Sequence, residues 1–593
     1  MASRILLATR YNLYPLRALN RSLAPLVLVF AAMCATVPHS STPRVEDLSL
    51  DEKVGQLFAI RGAGVFMAES SPAYQRLRDS DAASGVGGVV WFASNVYETA
   101  HLTRRLQHEA RVPLLISADL EAGMGMRFLD TTFWPPAMAV AATGDPSLAE
   151  AEGRVVAREA KALGVNHILA PVADVNVDPD NPVINARSFG EDPADVARFV
   201  AAFIRGVQSE HVLATAKHFP GHGDTQVDSH RALPVIDASR DRLDRVELVP
   251  FRAAIAADVK SVMIGHLAVP SLDRTPVPVR GEGHGENPYG TTAGEVPSEG
   301  TLPATISPTI VNGLLRKELG YDGLVVSDAF DMGGITEHFD AGEAAVRAIE
   351  AGEDQILLSA NTEQAIAGVI AAVKSGRLSE ARIDQSVRRI LAAKAFAGAA
   401  IADPDEIFRV VDAKEHRDVA ADVARRALTL VREEAGALPL RKGARVALVI
   451  VSDGLDAANP LADFERELKP AQTVAIDPRT REELLPKVNA DLIVAAFAIR
   501  ARSGAGTIAL PPAARRFLEA NRTIRTIGIA FGTPYLLREV PQLGTYLVAY
   551  GPQPVLQRAA LAALLGDAPI TGKLPVSIPG MYERGHGIRR PKS

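Results

Sequence analysis

The amino-acid sequence predicts an α/β protein in which a (β/α)8 barrel of the TIM type is followed by a smaller α/β sandwich domain. From about residue 50, eight short runs rich in β-branched and aromatic residues alternate with segments whose apolar residues recur every three or four positions. From about residue 411 the alternation resumes with five shorter apolar runs. Eight strands separated by helices favour a closed parallel barrel, and the second set favours a mostly parallel sheet.

Composition supports two globular domains and argues against nucleic acid as a partner. The chain has 593 residues, of which 47% are hydrophobic and 23% are charged. The formal net charge is −6, and no basic stripe is present that would follow a phosphate backbone. Nucleic acid is therefore not an expected partner. The predicted boundaries are a barrel at 45–400, a linker at 401–410 and the sandwich at 411–593.

The N-terminal segment at 1–34 has the pattern of a secretory signal. Four arginines and no acidic residue precede the apolar run LAPLVLVFAAMCA, which is shorter than a membrane span. The sequence therefore predicts a secreted or periplasmic, cell-envelope protein. Cys34, the only cysteine, leaves a lipoprotein as the alternative. Membrane contact is expected only if Cys34 is lipidated or if the segment is retained.

Polar side chains follow the predicted barrel strands at the points where these strands end. In a (β/α)8 barrel that edge carries the active site. The alternative for each single residue is an ordinary helix cap or loop position. The residues concerned are Asp119, Glu121, Asp174, Lys217, His218, His266 and Asp328.

The densest polar stretch is ATAKHFPGHGDTQVDSHRALP, at 214–234. It admits three interpretations: a metal site, an acid/base site or a polar loop. The ligand types are suitable, but no HExxH spacing is present, and Pro220, Gly221 and Gly223 indicate a turn. We therefore predict no metal and no cofactor.

The acid/base interpretation is supported by a tripeptide in this stretch and by a second residue, Asp328. In Asp228-Ser229-His230 a turn can bring the carboxylate to one imidazole nitrogen and leave the other nitrogen to exchange a proton. This tripeptide alone is weak evidence, because Asp and Ser are common in turns. Asp328, in VVSDAFDM at the end of a predicted strand, adds a carboxylate suited to nucleophilic attack.

The chain contains four distinctive segments: KHFPGHGDTQVDSH, NARSFGEDP, LPATISPTIVNGLLRKELGYDGLVVSDAFDMGGI and GKLPVSIPG. Together they resemble glycoside hydrolase family 3, in its β-N-acetylhexosaminidase branch. The resemblance covers about 50–585 and implies a barrel followed by an α/β sandwich, in agreement with the strand pattern. In the first segment, His222 and Asp224 are expected to shape the loop. Asp174 and His266, which lie elsewhere in the chain, are expected to form cavity walls.

The resemblance implies a role for each matching residue. Asp328 would be the nucleophile, His230 the general acid/base, and Asp228 the residue that orients His230. A terminal N-acetylglucosamine unit would be bound by Asp119, Arg127, Arg187, Lys217 and His218. For the two arginines the alternative is an ordinary salt bridge, and for His218 a buried structural histidine.

Two departures from the family pattern affect the site. The common DxEGGxVxR stretch reads DLEAGMGMR here, so Ala122 replaces a glycine and the shape of this loop is open. The glycine-rich stretch at 280–301 is unusual and is expected to lie over the same face of the barrel.

The implied activity is a retaining exo-β-N-acetylglucosaminidase that acts on a carbohydrate such as a peptidoglycan fragment or a chitin oligomer. One alternative is a phosphorylase, in which phosphate replaces water. A second is a β-glucosidase, although that branch usually carries a Trp where this chain has Ala329. A third is a carbohydrate-binding protein without activity, but such a protein would be expected to have lost Asp328, His230 or Lys217.

Overall fold

The structure is a computed structural model, and Arg44–Ser593 form one compact unit in it. The predicted signal-like segment at 1–34 and positions 280–299 of the predicted loop lie outside the described residues. Within the described ranges no helix is both long and apolar enough to cross a membrane. These ranges are 43–75, 77–78, 85–277, 300–399, 401–455, 458–501 and 508–593.

The predicted barrel is confirmed: eight parallel strands close on themselves. The barrel strands are β1 (Phe58–Ala63), β2 (Gly88–Phe92), β4 (Leu115–Ala118), β6 (His167–Ile168), β7 (Leu213–Phe219), β8 (Ser261–Ile264), β9 (Leu324–Ala329) and β10 (Gln355–Leu357). Around the barrel their order is β1-β10-β9-β8-β7-β6-β4-β2. Outside the barrel, β3 (Ser94–Asn95) pairs with β5 (Phe128–Leu129).

Helices surround the barrel and continue towards the second domain. They are α1 (Leu50–Gln56), α2 (Val96–Glu109), α3 (Ala137–Ala142), α4 (Pro146–Ala162), α5 (Pro193–Gln208), α6 (Arg240–Arg245), α7 (Leu248–Ala256), α8 (Gly333–Thr336), α9 (Ala341–Ala351), α10 (Thr362–Lys374), α11 (Glu380–Ala397) and α12 (Pro404–Val410). A π-helix spans Thr309–Glu318. Short 3₁₀ turns span Val45–Asp47, Met124–Met126, Asn185–Arg187 and Ala304–Ile306.

Helix α12 occupies most of the predicted linker at 401–410. Asp403 accepts a hydrogen bond from the backbone N–H of Asp405 at 2.9 Å and so caps the helix, while Pro404 takes a first-turn position where a missing N–H costs nothing. The connection between the two sheets is therefore helical rather than extended.

The second sheet has six strands, of which five are parallel. They are β11 (Thr429–Arg432), β12 (Val446–Ser452), β13 (Gln472–Ile476), β14 (Leu492–Ala498), β15 (Thr526–Ala530) and β16 (Thr545–Val548), in the spatial order β11-β16-β15-β14-β12-β13. The sequence pattern does not predict β11, a four-residue edge strand that pairs antiparallel with β16.

Helices flank this sheet. They are α13 (Lys414–Ala427), α14 (Ala462–Leu468), α15 (Pro512–Ala520) and α16 (Pro554–Leu564), with 3₁₀ turns at Glu482–Leu484 and Pro534–Arg538.

Two of the sequence motifs meet where the sandwich packs on the barrel. Glu191 of NARSFGEDP accepts hydrogen bonds from the backbone N–H and the hydroxyl of Ser577, in GKLPVSIPG, at 2.8 and 2.6 Å. A Cβ atom on Gly190 would lie only 2.7 Å from the carbonyl oxygen of Pro575. This close approach needs glycine, which explains why a barrel motif and a sandwich motif occur together.

Helices α4 and α5 pack with their backbones in close contact. A Cβ atom on Gly206 would lie 2.1 Å from the carbonyl oxygen of Glu150, and one on Gly153 would lie 2.4 Å from that of Phe203. No side chain fits between the two helices at this crossing.

Gly206→Ala should therefore lower the free energy of unfolding by about 1–3 kcal/mol, because the added methyl group forces the two helices apart. Urea unfolding followed by circular dichroism measures the change. The control is Arg198→Ala on the same helix, whose side chain is 60% exposed and which should change stability by less than about 0.5 kcal/mol. Unchanged stability of Gly206→Ala would show that the crossing adjusts without cost.

Candidate active site

A cavity of about 850 Å³ opens at the carboxyl ends of the barrel strands. Of the eight residues predicted for the site, seven line it, and Asp228 lies beside one of them. The seven are Asp119, Arg127, Arg187, Lys217, His218, His230 and Asp328. The structure therefore brings together side chains that the chain separates by more than two hundred positions.

Asp328 lies near the end of β9, with its carboxylate in the cavity wall. Burial by itself would raise the pKa of this carboxyl, but the nearby His218, His266 and His230 outweigh burial and lower it. Oδ1 also accepts a hydrogen bond from the backbone N–H of Ala329 at 2.8 Å. Asp328 is therefore ionised at neutral pH, as a nucleophile must be.

The predicted Asp228–His230 pair is formed. Nδ1 of His230 lies 2.8 Å from Oδ1 of Asp228, and the same oxygen accepts the backbone N–H of His230 at 2.9 Å. Asp228 is buried, whereas His230 reaches the cavity. The carboxylate thus directs Nδ1 away from the cavity, and proton exchange with a bound molecule falls to Nε2.

The loop between β7 and His230 is held by His222. Its Nδ1 lies 2.8 Å from the hydroxyl of Thr225 and its Nε2 lies 3.1 Å from that of Ser229. Burial lowers the pKa of His222 to about 4, so the ring is neutral at neutral pH. Asp224 pairs with Arg242 at 3.2 Å. Both contacts fit the predicted loop-shaping role.

Asp174 and His266 do not line the cavity, contrary to the expectation from sequence. Asp174 is fully buried behind His218: Oδ2 lies 2.7 Å from Nδ1 of that ring, and Oδ1 accepts the backbone N–H groups of His218 and His222. His266 is held by the hydroxyl of Thr305 and the carbonyl oxygen of Ala329. The position after a strand predicted proximity, but the direction of each side chain depends on its packing partners.

A network of ion pairs around the buried Lys217 forms another part of the cavity wall. The ammonium group of Lys217 lies 2.8 Å from Oδ1 of Asp119 and 2.7 Å from Oε1 of Glu121. Arg127 contacts Asp119 at 2.7 Å, and Arg187 contacts both oxygens of Glu121 at 2.7 and 2.8 Å.

Opposite charges decide the ionisation of this network. Burial acts to raise the pKa of Asp119 and Glu121, but the neighbouring cations lower both below their ordinary values. Burial likewise acts to lower the pKa of Lys217, and the two carboxylates raise it. The wall is therefore charged, paired and rigid, and it presents fixed hydrogen-bonding groups to a polar ligand.

The replacement of a family glycine by Ala122 leaves this wall intact. The left-handed backbone position in this loop, with φ of 73°, is at Gly123, where a Cβ atom would lie 2.4 Å from the Trp134 ring. Ala122 lines the cavity, and Asp119 and Arg127 still meet. The loop thus keeps the geometry on which the predicted contacts depend.

Several cavity residues were not among the predicted site residues. Glu121 is one of them: the sequence places it just after a barrel strand, but the resemblance assigned it no role. Arg61 and Phe92 are others: the guanidinium of Arg61 lies 4.1 Å from the centroid of the Phe92 ring and pairs with Asp331 at 2.6 Å. The sandwich domain also contributes residues, including Arg500 and Gln553.

Among the described side chains, no group of three or more His, Cys, Asp or Glu residues is arranged to hold a metal ion. The histidines of the KHFPGHGDTQVDSH segment instead make separate contacts with carboxylates and hydroxyls. The arrangement thus combines an ionised carboxylate, a carboxylate-held imidazole and a wall of paired charges. Such a set can attack an electrophilic carbon, transfer a proton and hold a polyhydroxylated ligand.

A family model shows which family the chain belongs to. The model for the glycosyl hydrolase family 3 N terminal domain matches residues 49–393, more than half of the sequence. The chain belongs to glycosyl hydrolase family 3. It is an enzyme of that family, as the resemblance implied.

Similarity extends over both domains of this family 3 enzyme. It is 32% identical over 563 residues to a protein of Cellulomonas fimi named beta-N-acetylglucosaminidase/beta-glucosidase, with 89% of this chain and 94% of that protein covered. A solved family 3 beta-N-acetylglucosaminidase from Paenibacillus sp. str. FPU-7 is 32% identical, with a TM-score of 0.75 and 90% and 99% coverage. A beta-glucoside phosphorylase bound to 2FGlc has a TM-score of 0.79 at 27% identity, with 90% and 95% coverage.

Lys217→Met should lower the free energy of unfolding by about 3 kcal/mol at pH 7, because two carboxylates lose their shared buried cation. The folded-state pKa of each carboxyl is below its ordinary value of 3.8 or 4.5. Their stabilisation is therefore present above those values and is lost as pH falls through the folded-state values. The wild-type advantage should be full at pH 7 and shrink below about pH 4.

Urea unfolding at several pH values measures this difference. The matched control is Lys161→Met, whose exposed ammonium donates to the carbonyl oxygen of Glu210 at the surface. It should change stability by less than about 0.5 kcal/mol. A Lys217→Met effect that does not depend on pH would show that the loss is one of packing and not of charge.

Proposed function

We propose that this family 3 enzyme is a retaining exo-β-N-acetylglucosaminidase that removes terminal β-linked N-acetylglucosamine from glycans such as peptidoglycan fragments or chitin oligomers. The observation that carries the proposal is that Asp328 and the imidazole held by Asp228 face one cavity. The names of the relatives from Cellulomonas fimi and Paenibacillus support this substrate. The fixed hydrogen-bonding wall around Lys217 suits a sugar with several hydroxyl groups.

In the first step, the Asp328 carboxylate attacks the anomeric carbon as the bond from that carbon to the leaving oxygen breaks. His230 gives its proton to the leaving oxygen. In the second step, neutral His230 takes a proton from water, whose oxygen attacks the anomeric carbon and releases Asp328. Two displacements at one carbon restore the original β configuration.

A histidine replaces the second carboxyl group that most retaining glycosidases use. The reference pKa of an imidazole, about 6.5, lies near neutral pH, which suits both halves of the reaction. The acid/base residue itself therefore carries no negative charge at either step of the reaction. The Asp228 carboxylate holds the ring in one orientation through both steps.

Asp328→Ala should abolish hydrolysis of an aryl β-N-acetylglucosaminide, because the first displacement then lacks its nucleophile. Asp322→Ala is the matched control: Asp322 precedes the opposite end of β9, its side chain is 90% exposed, and its partner is Arg389. That control should retain full activity. Circular dichroism confirms the fold of both variants, and Asp328→Ala activity within about tenfold of wild type would remove Asp328 from the nucleophile role.

His230→Gly should slow glycosylation by about 10²–10⁴-fold on a natural disaccharide, because a sugar leaving group needs protonation. A dinitrophenyl glycoside should lose much less, since its leaving group is already a stable anion. Asp228→Asn should show the same trend more weakly, because the ring remains but loses its charged partner. Single-turnover rates measure the step, and equal losses on both substrates would assign the pair a binding or structural role.

The phosphorylase alternative is favoured by one comparison, the TM-score of 0.79 with a beta-glucoside phosphorylase. Both reactions share the glycosyl-enzyme intermediate and differ in what attacks it. Product analysis with and without phosphate separates them: free sugar indicates hydrolysis, and sugar 1-phosphate indicates phosphorolysis. Parallel assays on aryl β-glucoside and aryl β-N-acetylglucosaminide separate the glucosidase alternative.

Export of the enzyme is a further part of the proposal. It is motivated by the basic and then apolar sequence at 1–34. N-terminal sequencing of the protein recovered from its native cell envelope distinguishes cleavage from retention. Lipid labelling tests the alternative anchor at Cys34.

A further inference from the structure

Two loops that carry predicted site residues are joined by one buried side chain, that of Asn181. This residue lies between β6 and α5, is fully buried and does not line the cavity. The turn that carries Arg187 lies on one side of its amide group, and the loop that carries His222 and His230 lies on the other. The amide group makes four hydrogen bonds, two to each side.

The amide oxygen holds the turn that carries Arg187. Oδ1 of Asn181 accepts the backbone N–H groups of Val183 at 2.9 Å and of Ile184 at 2.8 Å. The carbonyl oxygen of Val183 in turn accepts a hydrogen bond from Nη1 of Arg187 at 3.0 Å. Asn181 therefore fixes the backbone against which the guanidinium of Arg187 is placed.

The amide nitrogen holds the loop that carries His230. Nδ2 of Asn181 donates to the carbonyl oxygen of His222 at 2.9 Å and to the hydroxyl oxygen of Thr225 at 3.3 Å. That hydroxyl also lies 2.8 Å from Nδ1 of His222, whose Nε2 lies 3.1 Å from the hydroxyl of Ser229. A continuous chain of hydrogen bonds thus runs from Asn181 to Ser229, the residue that directly precedes His230.

The partners fix which way the Asn181 amide faces. Backbone N–H groups can only donate and a backbone carbonyl oxygen can only accept, so the amide oxygen must face Val183 and Ile184, and the amino group must face His222. An asparagine side chain offers two N–H donors and two acceptor lone pairs, and all four are used here. No other side chain of this length offers the same four bonds. A substitution therefore leaves at least one loop without its partner.

The backbones of the two segments also touch beside this amide. A Cβ atom on Gly223 would lie 1.7 Å from the carbonyl oxygen of Val175. The backbone N–H of Asp178 donates to the carbonyl oxygen of Gly223 at 3.3 Å. We therefore expect the segments to stay adjacent without the side chain of Asn181. What the amide adds is the orientation of each loop relative to the other.

We infer that Asn181 is a positioning residue of this enzyme, which fixes the His230 imidazole relative to Arg187 without touching the substrate itself. The inference rests on the proposed glycosidase mechanism, in which His230 protonates the leaving oxygen. A general acid must lie within about 2.6–3.2 Å of the atom that it protonates. A displacement of the imidazole by about 1 Å can therefore lower the rate on the order of 10²-fold.

Asn181→Asp separates the two tasks of this residue. The aspartate keeps an oxygen for Val183 and Ile184, but a second oxygen replaces the donor amino group and repels the carbonyl oxygen of His222. On a natural disaccharide, single-turnover glycosylation should fall by about 10–10²-fold. On the dinitrophenyl glycoside, whose leaving group needs no proton, it should fall by less than about threefold. A purely structural loss would lower both rates equally.

Asn181→Ala should affect both loops. It should show the same dependence on the leaving group and also raise KM by about threefold or more on both substrates, because two N–H groups of the Arg187 turn lose their acceptor. The KM of Asn181→Asp should stay within about twofold of wild type. This difference between the variants assigns one side of the amide to proton transfer and the other to sugar binding.

Thr225 provides a second test that leaves Asn181 unchanged. Thr225→Val keeps the shape of this buried side chain and removes the hydroxyl that links Asn181 to the His222 ring. It should reproduce the leaving-group dependence of Asn181→Asp. Thr225→Ser, which keeps a hydroxyl, should recover most of the lost rate. This pair still tests the inference if Asn181→Asp does not fold.

The matched control is Asn176→Asp in the same segment. Asn176 is also buried, but its Nδ2 donates to the hydroxyl of Tyr535, in the sandwich domain, at 2.9 Å. The ratio of the rates on the two substrates should therefore stay within about twofold of the wild-type ratio. Circular dichroism and thermal unfolding show whether each variant is folded.

Two results would overturn the inference. One is an equal loss on both substrates in Asn181→Asp and in Thr225→Val, which would make the chain of hydrogen bonds structural. The other is a wild-type rate on both substrates in Asn181→Asp, which would show that the position of the imidazole does not depend on the amide. Hydrolysis of an aryl β-N-acetylglucosaminide by the wild type tests the proposed function separately. If the wild type acts on β-glucosides instead, the same comparison of leaving groups on β-glucosides tests Asn181.

Discussion

The closure of eight parallel strands is the constraint on which the rest of this enzyme depends. Parallel strands in a closed barrel all end at one rim, so residues that follow different strands must meet there. Asp119 follows β4, and Lys217 and Asp328 lie among the last three residues of β7 and β9. All three line one cavity. The clustering of these side chains therefore follows from the shared direction of the strands.

Electrostatics then divides this rim into two parts with different tasks. Around Lys217, carboxylates and cations neutralise each other at short distances, which makes a rigid, polar wall for binding. Around Asp328, histidines lower the pKa of the carboxyl instead. A carboxylate that a salt bridge occupied fully would be a poorer nucleophile, whereas nearby imidazoles keep it ionised and still able to react.

The sandwich domain supports this rim and extends it. The contact between Glu191 and Ser577 ties the loop that carries Arg187 to the second domain, and Gly190 allows the two backbones to approach. On the cavity side, Arg500 and Gln553 add groups that the barrel does not supply. Residues of both domains therefore line one cavity.

The sequence by itself determined what depends on local pattern: eight barrel strands, the Asp228–His230 pair two residues apart, and the strand-end position of Asp328. Such features follow from residue spacing and turn chemistry within a few positions. The tertiary structure decided that Asp174 and His266 lie behind the cavity. It also decided that β11 completes the second sheet and that Arg500 reaches the barrel's cavity. These depend on which surfaces pack together over hundreds of residues, and no local spacing encodes that packing.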